Sequence, residues 1–417
     1  MEKTIPHIEY TKKTAQQLLA VEEPEVQGLY RLADRIRRDH MGDDVYIRGI
    51  IEFSNICANN CLYCGIRAGN GKVARYTLSA DEILETASAM ATGHQMTVVL
   101  QSGETPALGD EVLGGIIRRI KKETPLAVTV SVGNRPRETY RYWKECGMDR
   151  YLLRFETSDP GLFLRLHPGS TLEERLKCLN DLQDIGIQTG SGFMIGLPGE
   201  TPDILAQNIL LCRELDLDMI GIGPFIPHPD TPLGKERNIY DDNREMFFKT
   251  LAVLRVFNPD AHIPATTAYD AVFPGEGRDL ALRRGANIFM PNNTPACHRK
   301  DYFLYPDKPG VDDPADQCLE SAVARIRALG RNVGEGPGHS IKGAHVAPST
   351  SKAAGASPSR PRTGYTCPWS TSCRGSRRRT HSRGYPTSKA PPASGYPASL
   401  ISPENGLCRA CEPLCRP

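Results

Sequence analysis

The chain has 417 residues, and its 51 Lys and Arg against 49 Asp and Glu leave a formal net charge of +2. That total hides an asymmetry: Ile341 to Pro417 holds twelve basic residues against Glu404 and Glu412 alone, so the preceding body carries 39 basic and 47 acidic side chains. A mildly acidic body gives no reason to expect nucleic acid, and with no long uncharged apolar run and no charged-then-apolar leader, neither a membrane span nor export is expected. The expected location is therefore cytoplasmic, and thirteen cysteines without a signal peptide fit a reducing compartment better than a disulfide framework.

In chain order, Leu18, Leu19, Val21, Val26, Leu29, Leu32 and Ile36 recur at helical spacing across 15–38, which predicts a half-buried helical cap over one end of the remaining fold. Short runs rich in β-branched residues then alternate with longer amphipathic stretches. Strands are expected at 45–53, 97–101, 127–132, 151–155, 190–195, 219–225, 262–265 and 287–290. Helices are expected at 80–92, 110–123, 137–146, 172–185, 202–215 and 243–257. Eight strand and helix units imply an α/β fold with a parallel sheet closed into a (β/α)8 TIM barrel. From about Gly334 periodicity gives way to Ser, Pro, Arg, Gly and Ala, a composition that buries too little apolar area to offset the entropy of ordering. The domain reading is therefore an N-terminal helical extension at 1–43, a barrel at 44–333 and a low-complexity, disordered tail at 334–417. Cys408, Cys411 and Cys415 in that tail have C-x2-C-x3-C spacing, but with no element to fix them an unstructured extension is the preferred reading, and a read-through of an altered frame would account for it.

The chemistry begins after the first strand, in Ile51-Glu-Phe-Ser-Asn-Ile-Cys-Ala-Asn-Asn-Cys-Leu-Tyr-Cys-Gly65. Cys57, Cys61 and Cys64 have a spacing that suits a four-iron cluster with one iron left open, whereas four cysteines would close the metal off. A structural zinc site and plain buried thiols are the competing readings. The neighbours Asn55, Asn59, Asn60, Gly65 and Arg67 instead describe a polar, exposed loop. The C-x3-C-x2-C pattern with Tyr63 before the last cysteine resembles the radical S-adenosylmethionine (radical SAM) superfamily.

A barrel places catalytic groups at the C-terminal ends of its strands. The cysteine loop follows the first predicted strand and Ser102-Gly103-Glu104 the second; Ser131 ends the third, Glu156 the fourth, and Thr266-Thr267 follows the seventh. One 4Fe-4S cluster and SAM are the implied cofactors. The cofactor's amine needs acceptors and its carboxylate an arginine. Ser102, Gly103 and Glu104 resemble the segment that receives the amine; Arg175 is the candidate for the carboxylate, Glu156 for amine or ribose, Ser131 for ribose, and Met194 for an apolar wall on adenine, and the resemblance assigns Tyr63 to the cofactor as well. Surface ion pairs and ordinary core packing are the plainer readings of Arg175, Glu156 and Met194.

Longer strings narrow the resemblance. Gly49-Ile-Ile-Glu-Phe-Ser-Asn55, Val99-Leu-Gln-Ser-Gly-Glu104, Asp149-Arg-Tyr-Leu-Leu-Arg154, Gly221-Ile-Gly-Pro-Phe-Ile-Pro-His-Pro-Asp-Thr-Pro-Leu233, Ile263-Pro-Ala-Thr-Thr-Ala268 and Gly285-Ala-Asn-Ile-Phe-Met-Pro-Asn292 look like the HydE family, the radical SAM maturases of the FeFe hydrogenase. The resemblance runs from about Asp44 to Gly330. It implies reductive cleavage of SAM to a 5'-deoxyadenosyl radical that acts on a small iron-containing precursor of the two-iron subcluster of the hydrogenase active site. It also implies that Arg154, Thr266, Thr267, Met290, Tyr302 and Tyr305 face the substrate. The implied partners are the other hydrogenase maturation proteins, a scaffold GTPase and a tyrosine-cleaving radical SAM maturase, with an electron donor such as ferredoxin or flavodoxin. Some relatives carry a second cluster near the barrel's end; 307–323 has only Cys318, so one cluster is expected. Biotin synthase-like sulfur insertion, methylornithine synthase-like rearrangement and a non-catalytic iron-sulfur scaffold are the alternatives.

Overall fold

The computed structural model describes residues 8–92, 95–105, 109–306, 308–311 and 315–343. The expectations for 344–417, including its five cysteines, lie outside the described residues.

Two helices open the chain, α1 (Lys12–Leu19) and α2 (Glu25–Met41). Barrel strands and helices then follow as β1 (Asp44–Ser54), α3 (Ala80–Met90), β2 (Gln95–Ser102), α4 (Asp110–Glu123), β3 (Ala127–Ser131), α5 (Arg137–Glu145), β4 (Arg150–Leu152), α6 (Pro160–Leu166), α7 (Leu172–Ile185), β5 (Gln188–Ser191) and β6 (Met194–Ile195). The second half continues with α8 (Pro202–Glu214), β7 (Met219–Ile220), β8 (Gly223–Pro224), α9 (Glu245–Phe257), β9 (Pro264–Ala265), α10 (Thr267–Val272), α11 (Gly277–Arg283), β10 (Ile288–Phe289), α12 (Ala296–Arg299), α13 (Ala315–Ala328) and β11 (Asn332–Val333). The main sheet runs β7-β5-β4-β3-β2-β1-β10-β9 with every pair parallel. A bridge between Met219 and His262, with Ile220 N–H on the His262 carbonyl at 2.8 Å, brings its two ends together into a nearly closed eight-stranded barrel.

Local chemistry explains why several helix bounds were readable. Thr171 Oγ1 accepts from the Glu174 N–H while the Glu174 carboxylate accepts from the Thr171 N–H, a reciprocal cap that starts α7, and Gly186 at φ +80° ends it. Ser79 and Glu82 build the same box on α3, and Pro202 sits in the first turn of α8 behind Thr201.

Three features depart from the sequence reading. The N-terminal helical region is two helices, interrupted where Pro24 caps α2, and they pack on α8 and α9 at the barrel's flank, not over one end. That cover explains why Phe247 to Phe257 is buried on every face. The fifth and sixth strands are each split in two, around Gly192 and Gly221, where the backbones are so close that a Cβ on Gly192 would lie 1.9 Å from the Gly221 carbonyl oxygen.

The third departure concerns the domain boundary at 334. β11 pairs with β1, and the chain then crosses the barrel's N-terminal end. The Pro337 carbonyl accepts from Arg150 Nη2 at 2.8 Å and Thr97 Oγ1 at 3.1 Å, the Gly338 carbonyl from Arg48 Nη2 at 2.9 Å, and the His339 carbonyl from His262 Nε2 at 3.1 Å. Arg48 and Arg150 are buried and neither ion-pairs with a described carboxylate; burial holds the Arg48 pKa well below the usual arginine value and lowers that of Arg150 to about 10. Residues 334–343 therefore form the barrel floor. Their Gly and Pro content reads as linker, yet two of the glycines, Gly334 and Gly338, rest against the Tyr46 ring where a Cβ would clash.

Candidate functional site at the cysteine loop

The loop from Asn55 to Arg75 has no regular structure, so its shape comes from contacts with four other segments. Asn55 Nδ2 donates to the Ala74 and Asp301 carbonyls, both at 2.7 Å. Ala58 N–H reaches the Glu104 carbonyl at 2.7 Å, Leu62 N–H the Leu166 carbonyl at 2.9 Å, and Gly65 N–H the Leu304 carbonyl at 3.1 Å. From the other side the Leu233 N–H donates to the Leu62 carbonyl at 3.1 Å, so the Pro-rich run after β8 is seated on the cysteines. Gly103 is required by this packing: a Cβ there would lie 2.4 Å from the Ile56 carbonyl oxygen and 2.7 Å from Cys57 Cβ. The sequence pattern assigns Gly103 to the cofactor; its first use is to let β2 meet the cysteine loop.

Cys57, Cys61 and Cys64 are half-buried. Burial raises all three thiols: Cys57 upward, Cys61 to about 12 with Cys57 adding to the effect, and Cys64 further still. Protein groups alone do not favour three thiolates here, whereas bound iron would. Three thiols, where a closed zinc site takes four ligands, suit a multi-iron cluster with one iron left open.

Beside them lies a set of buried polar atoms without hydrogen bonds. Arg154 Nη2 and Glu156 Oε2 stand 3.1 Å apart, within ion-pair reach but off the line of a hydrogen bond, and both, with Arg154 Nε and Arg175 Nε, lack one. Burial raises the Glu156 pKa, with Arg154 and Arg175 opposing. Glu156 also has φ +62°, a conformation that costs a non-glycine residue about 1–2 kcal/mol. It is held there by its N–H on the Gly192 carbonyl at 3.0 Å and by Met194 N–H on its own carbonyl at 3.2 Å. A strained, buried carboxyl between two incompletely bonded guanidinium groups fits the amine and carboxylate of an amino-acid head.

The other predicted cofactor residues divide. Met194 joins Leu162, Leu166, Leu197 and Phe225 in a small apolar cluster against which Tyr63 packs. Ser131 is half-buried at the end of β3. Ser102 Oγ donates to the Gly103 carbonyl at 2.7 Å, and Glu104 Oε2 accepts the Asn134 N–H at 2.9 Å, so both already serve the scaffold. Of the residues expected to face the substrate, Thr266 Oγ1 donates to the Ile222 carbonyl at 2.9 Å, Thr267 and Tyr305 hydroxyls meet at 2.5 Å, and Met290 is half-buried after β10. Tyr302 is fully buried, its hydroxyl accepting from Gln101 Nε2 at 3.3 Å.

Residues not anticipated from sequence include His167, which meets the Tyr63 hydroxyl, and the buried pair of Glu52 and Lys308. A lone acid in the apolar run Ile50-Ile-Glu-Phe was a readable signal for Glu52; its partner 256 positions away was not.

Comparison with known proteins agrees with this geometry. Residues 51–212 match the Radical SAM superfamily. Over 327 residues, 78% of this chain and 92% of the relative, the sequence is 46% identical to the FeFe hydrogenase maturase subunit HydE of Thermotoga maritima. The chain belongs to the HydE family. As a member of the family it is a radical SAM enzyme of hydrogenase maturation, with a 4Fe-4S cluster and SAM as cofactors. Among solved structures, methylornithine synthase superposes with a TM-score of 0.70 at 25% identity, covering 80% of this chain and 97% of that one. HydG, a maturase of the FeFe hydrogenase, gives 0.64 at 20% identity, covering 77% and 71%, and shows the shared barrel. Among the described residues no helix is long and apolar enough to cross a membrane.

Proposed function

We propose that this HydE-family enzyme acts in the cytoplasm on a small iron- and sulfur-containing precursor during assembly of the two-iron subcluster of the FeFe hydrogenase. The observation that carries the reading is the meeting, at one barrel mouth, of three cysteines with the incompletely bonded Arg154, Glu156 and Arg175. When bound, the cluster and SAM together supply reductive cleavage of the sulfonium to a 5'-deoxyadenosyl radical. The chain's own residues bind and orient. Cys57, Cys61 and Cys64 hold the cluster; Glu156 accepts from the SAM amine and Arg175 donates to its carboxylate; Tyr63 and Met194 bound the adenine, with Ser131 at the ribose and Ser102 to Glu104 shaping the amine side.

Arg154, Thr266, Thr267, Met290, Tyr302 and Tyr305 then face the substrate, an arginine and hydroxyls suiting an anionic iron complex. One cluster is held per chain. The product passes to the scaffold GTPase, alongside the tyrosine-cleaving maturase, and ferredoxin or flavodoxin supplies the electron. Sulfur insertion and carbon-skeleton rearrangement are disfavoured by the 224–232 run, which looks like the maturase and lies against the cysteine loop.

The test is anaerobic. The reconstituted, dithionite-reduced protein with SAM should form 5'-deoxyadenosine, lose that activity in Cys57→Ala, and be required for activation of apo-hydrogenase by the other maturation proteins. SAM turnover with no effect on hydrogenase would move the assignment to another radical SAM reaction; no SAM binding by calorimetry would leave a scaffold.

A further inference from the structure

The cysteine loop has a tie that involves no cysteine. Arg75 Nη1 donates to the carbonyls of Asn55 and Ile66, both at 2.7 Å, and its Nη2 to those of Arg67 at 2.7 Å and Asn70 at 3.2 Å. Asn55 precedes the first cysteine and the other three follow the last, so one guanidinium joins the two ends of the loop. We propose that Arg75 is a positioning residue that holds the cysteine loop in its cluster-ready shape before iron is present.

Two considerations decide between a geometric and an electrostatic role. The residue is exposed overall, so its charge is screened by solvent, and its influence on Cys57 is smaller than those of burial, the neighbouring backbone and Glu104. The guanidinium fork, by contrast, presents two nitrogens to four backbone oxygens in fixed directions, which a lysine ammonium with three donors at one point does not reproduce. Backbone carbonyls in a loop without helix or strand otherwise turn to water, and each residue left free retains conformational entropy that cluster binding must then overcome. Asn70, which Arg75 already holds, donates its Nδ2 to the Gly65 carbonyl at 2.7 Å, and the neighbouring Gly69 N–H reaches Asn60 Oδ1 at 2.7 Å, which extends the same frame.

The proposal rests on the cluster reading only where iron is measured. Full-length protein, Arg75→Lys and Arg75→Gln are compared in two ways. Hydrogen exchange is measured at 55–70 in protein prepared without iron, and the reconstituted proteins are timed for iron release to a ferrous chelator. Both variants should exchange 55–70 about tenfold faster or more, with the barrel strands unchanged, and should release iron faster than the parent. Equal exchange at 55–70 in all three proteins would overturn the proposal. So would a lysine variant that matches the parent while glutamine fails, since charge alone would then suffice, or faster exchange throughout the barrel, which would make Arg75 a general folding residue. If the parent takes up no iron the cluster reading fails, and the exchange arm still decides the clamp.

Discussion

The Tyr63 hydroxyl lies 2.8 Å from His167 Nε2, and the far side of that imidazole, Nδ1, is 3.1 Å from the Phe163 carbonyl. The carbonyl accepts only, so Nδ1 carries the proton and Nε2 accepts from tyrosine. With its ring stacked on Phe163 at 4.1 Å, His167 fixes where Tyr63 stands next to Cys64. His167→Phe keeps the stack and removes the acceptor. SAM affinity should fall roughly five- to tenfold, about 1 kcal/mol for one buried hydrogen bond, while the electron paramagnetic resonance signal of the reduced cluster without SAM stays the same. Unaltered affinity by calorimetry would remove His167 from the site.

Acid sensitivity arises from the same residue. Burial, then the Arg175 charge, lowers the His167 pKa to about 4 from the ordinary 6.5. The unfolded chain binds this proton first, so the group's full stability is present above about pH 6.5 and is lost as pH falls toward 4. At pH 5 the loss is about 2 kcal/mol. Urea unfolding of His167→Phe at pH 7 and pH 5 should show a smaller drop than the parent; equal drops would mean the imidazole titrates normally.

Glu156 combines a strained backbone with a buried carboxyl. Glycine relieves the +62° backbone but gives up the carboxylate. Glu156→Gly should retain or raise stability, by up to about 1 kcal/mol, and weaken SAM binding by about tenfold or more. A variant that is both less stable and fully competent for SAM would contradict the assignment.

The buried Glu52 and Lys308 pair behaves differently from either residue alone. Asn292 Nδ2 donates to Glu52 Oε2 at 3.0 Å, and Lys308 lies over the Tyr302 ring at 5.2 Å. Glu52→Gln or Lys308→Met should each cost about 3–5 kcal/mol by stranding the partner's charge. The double variant should cost clearly less than the sum, read by thermal unfolding; simple additivity would show that the two charges do not depend on each other.

Truncation tests the barrel floor. A chain ending at residue 333 leaves Arg48, Arg150 and His262 without the carbonyls of 337–339, and should be less stable than one ending at 343 by about 3 kcal/mol or more. Equal unfolding midpoints would return the domain boundary to 334.

What could be read without coordinates depended on how local the cause was. The bounds of α4 and α7 were readable to the residue, since hydrophobic spacing and, for α7, caps within three residues of the start specify them. The parallel barrel followed from repetition. The need for glycine at 192 was not visible, because the steric contact that demands it lies between neighbouring strands. Residues 334–343 were misassigned because composition reports what a segment can bury, not which buried arginines need its carbonyls.

The family and the order of elements were legible in the residues alone, since a cysteine spacing, a Pro-rich run and a strand period are properties of short stretches of chain. Only the tertiary structure decided which of the named polar residues are still available to a ligand. Arg154, Glu156 and Arg175 retain atoms without a hydrogen bond, whereas Ser102, Glu104 and Thr266 are already bonded within the scaffold. Hydrogen-bond satisfaction depends on groups brought together from distant positions, so no local pattern encodes it.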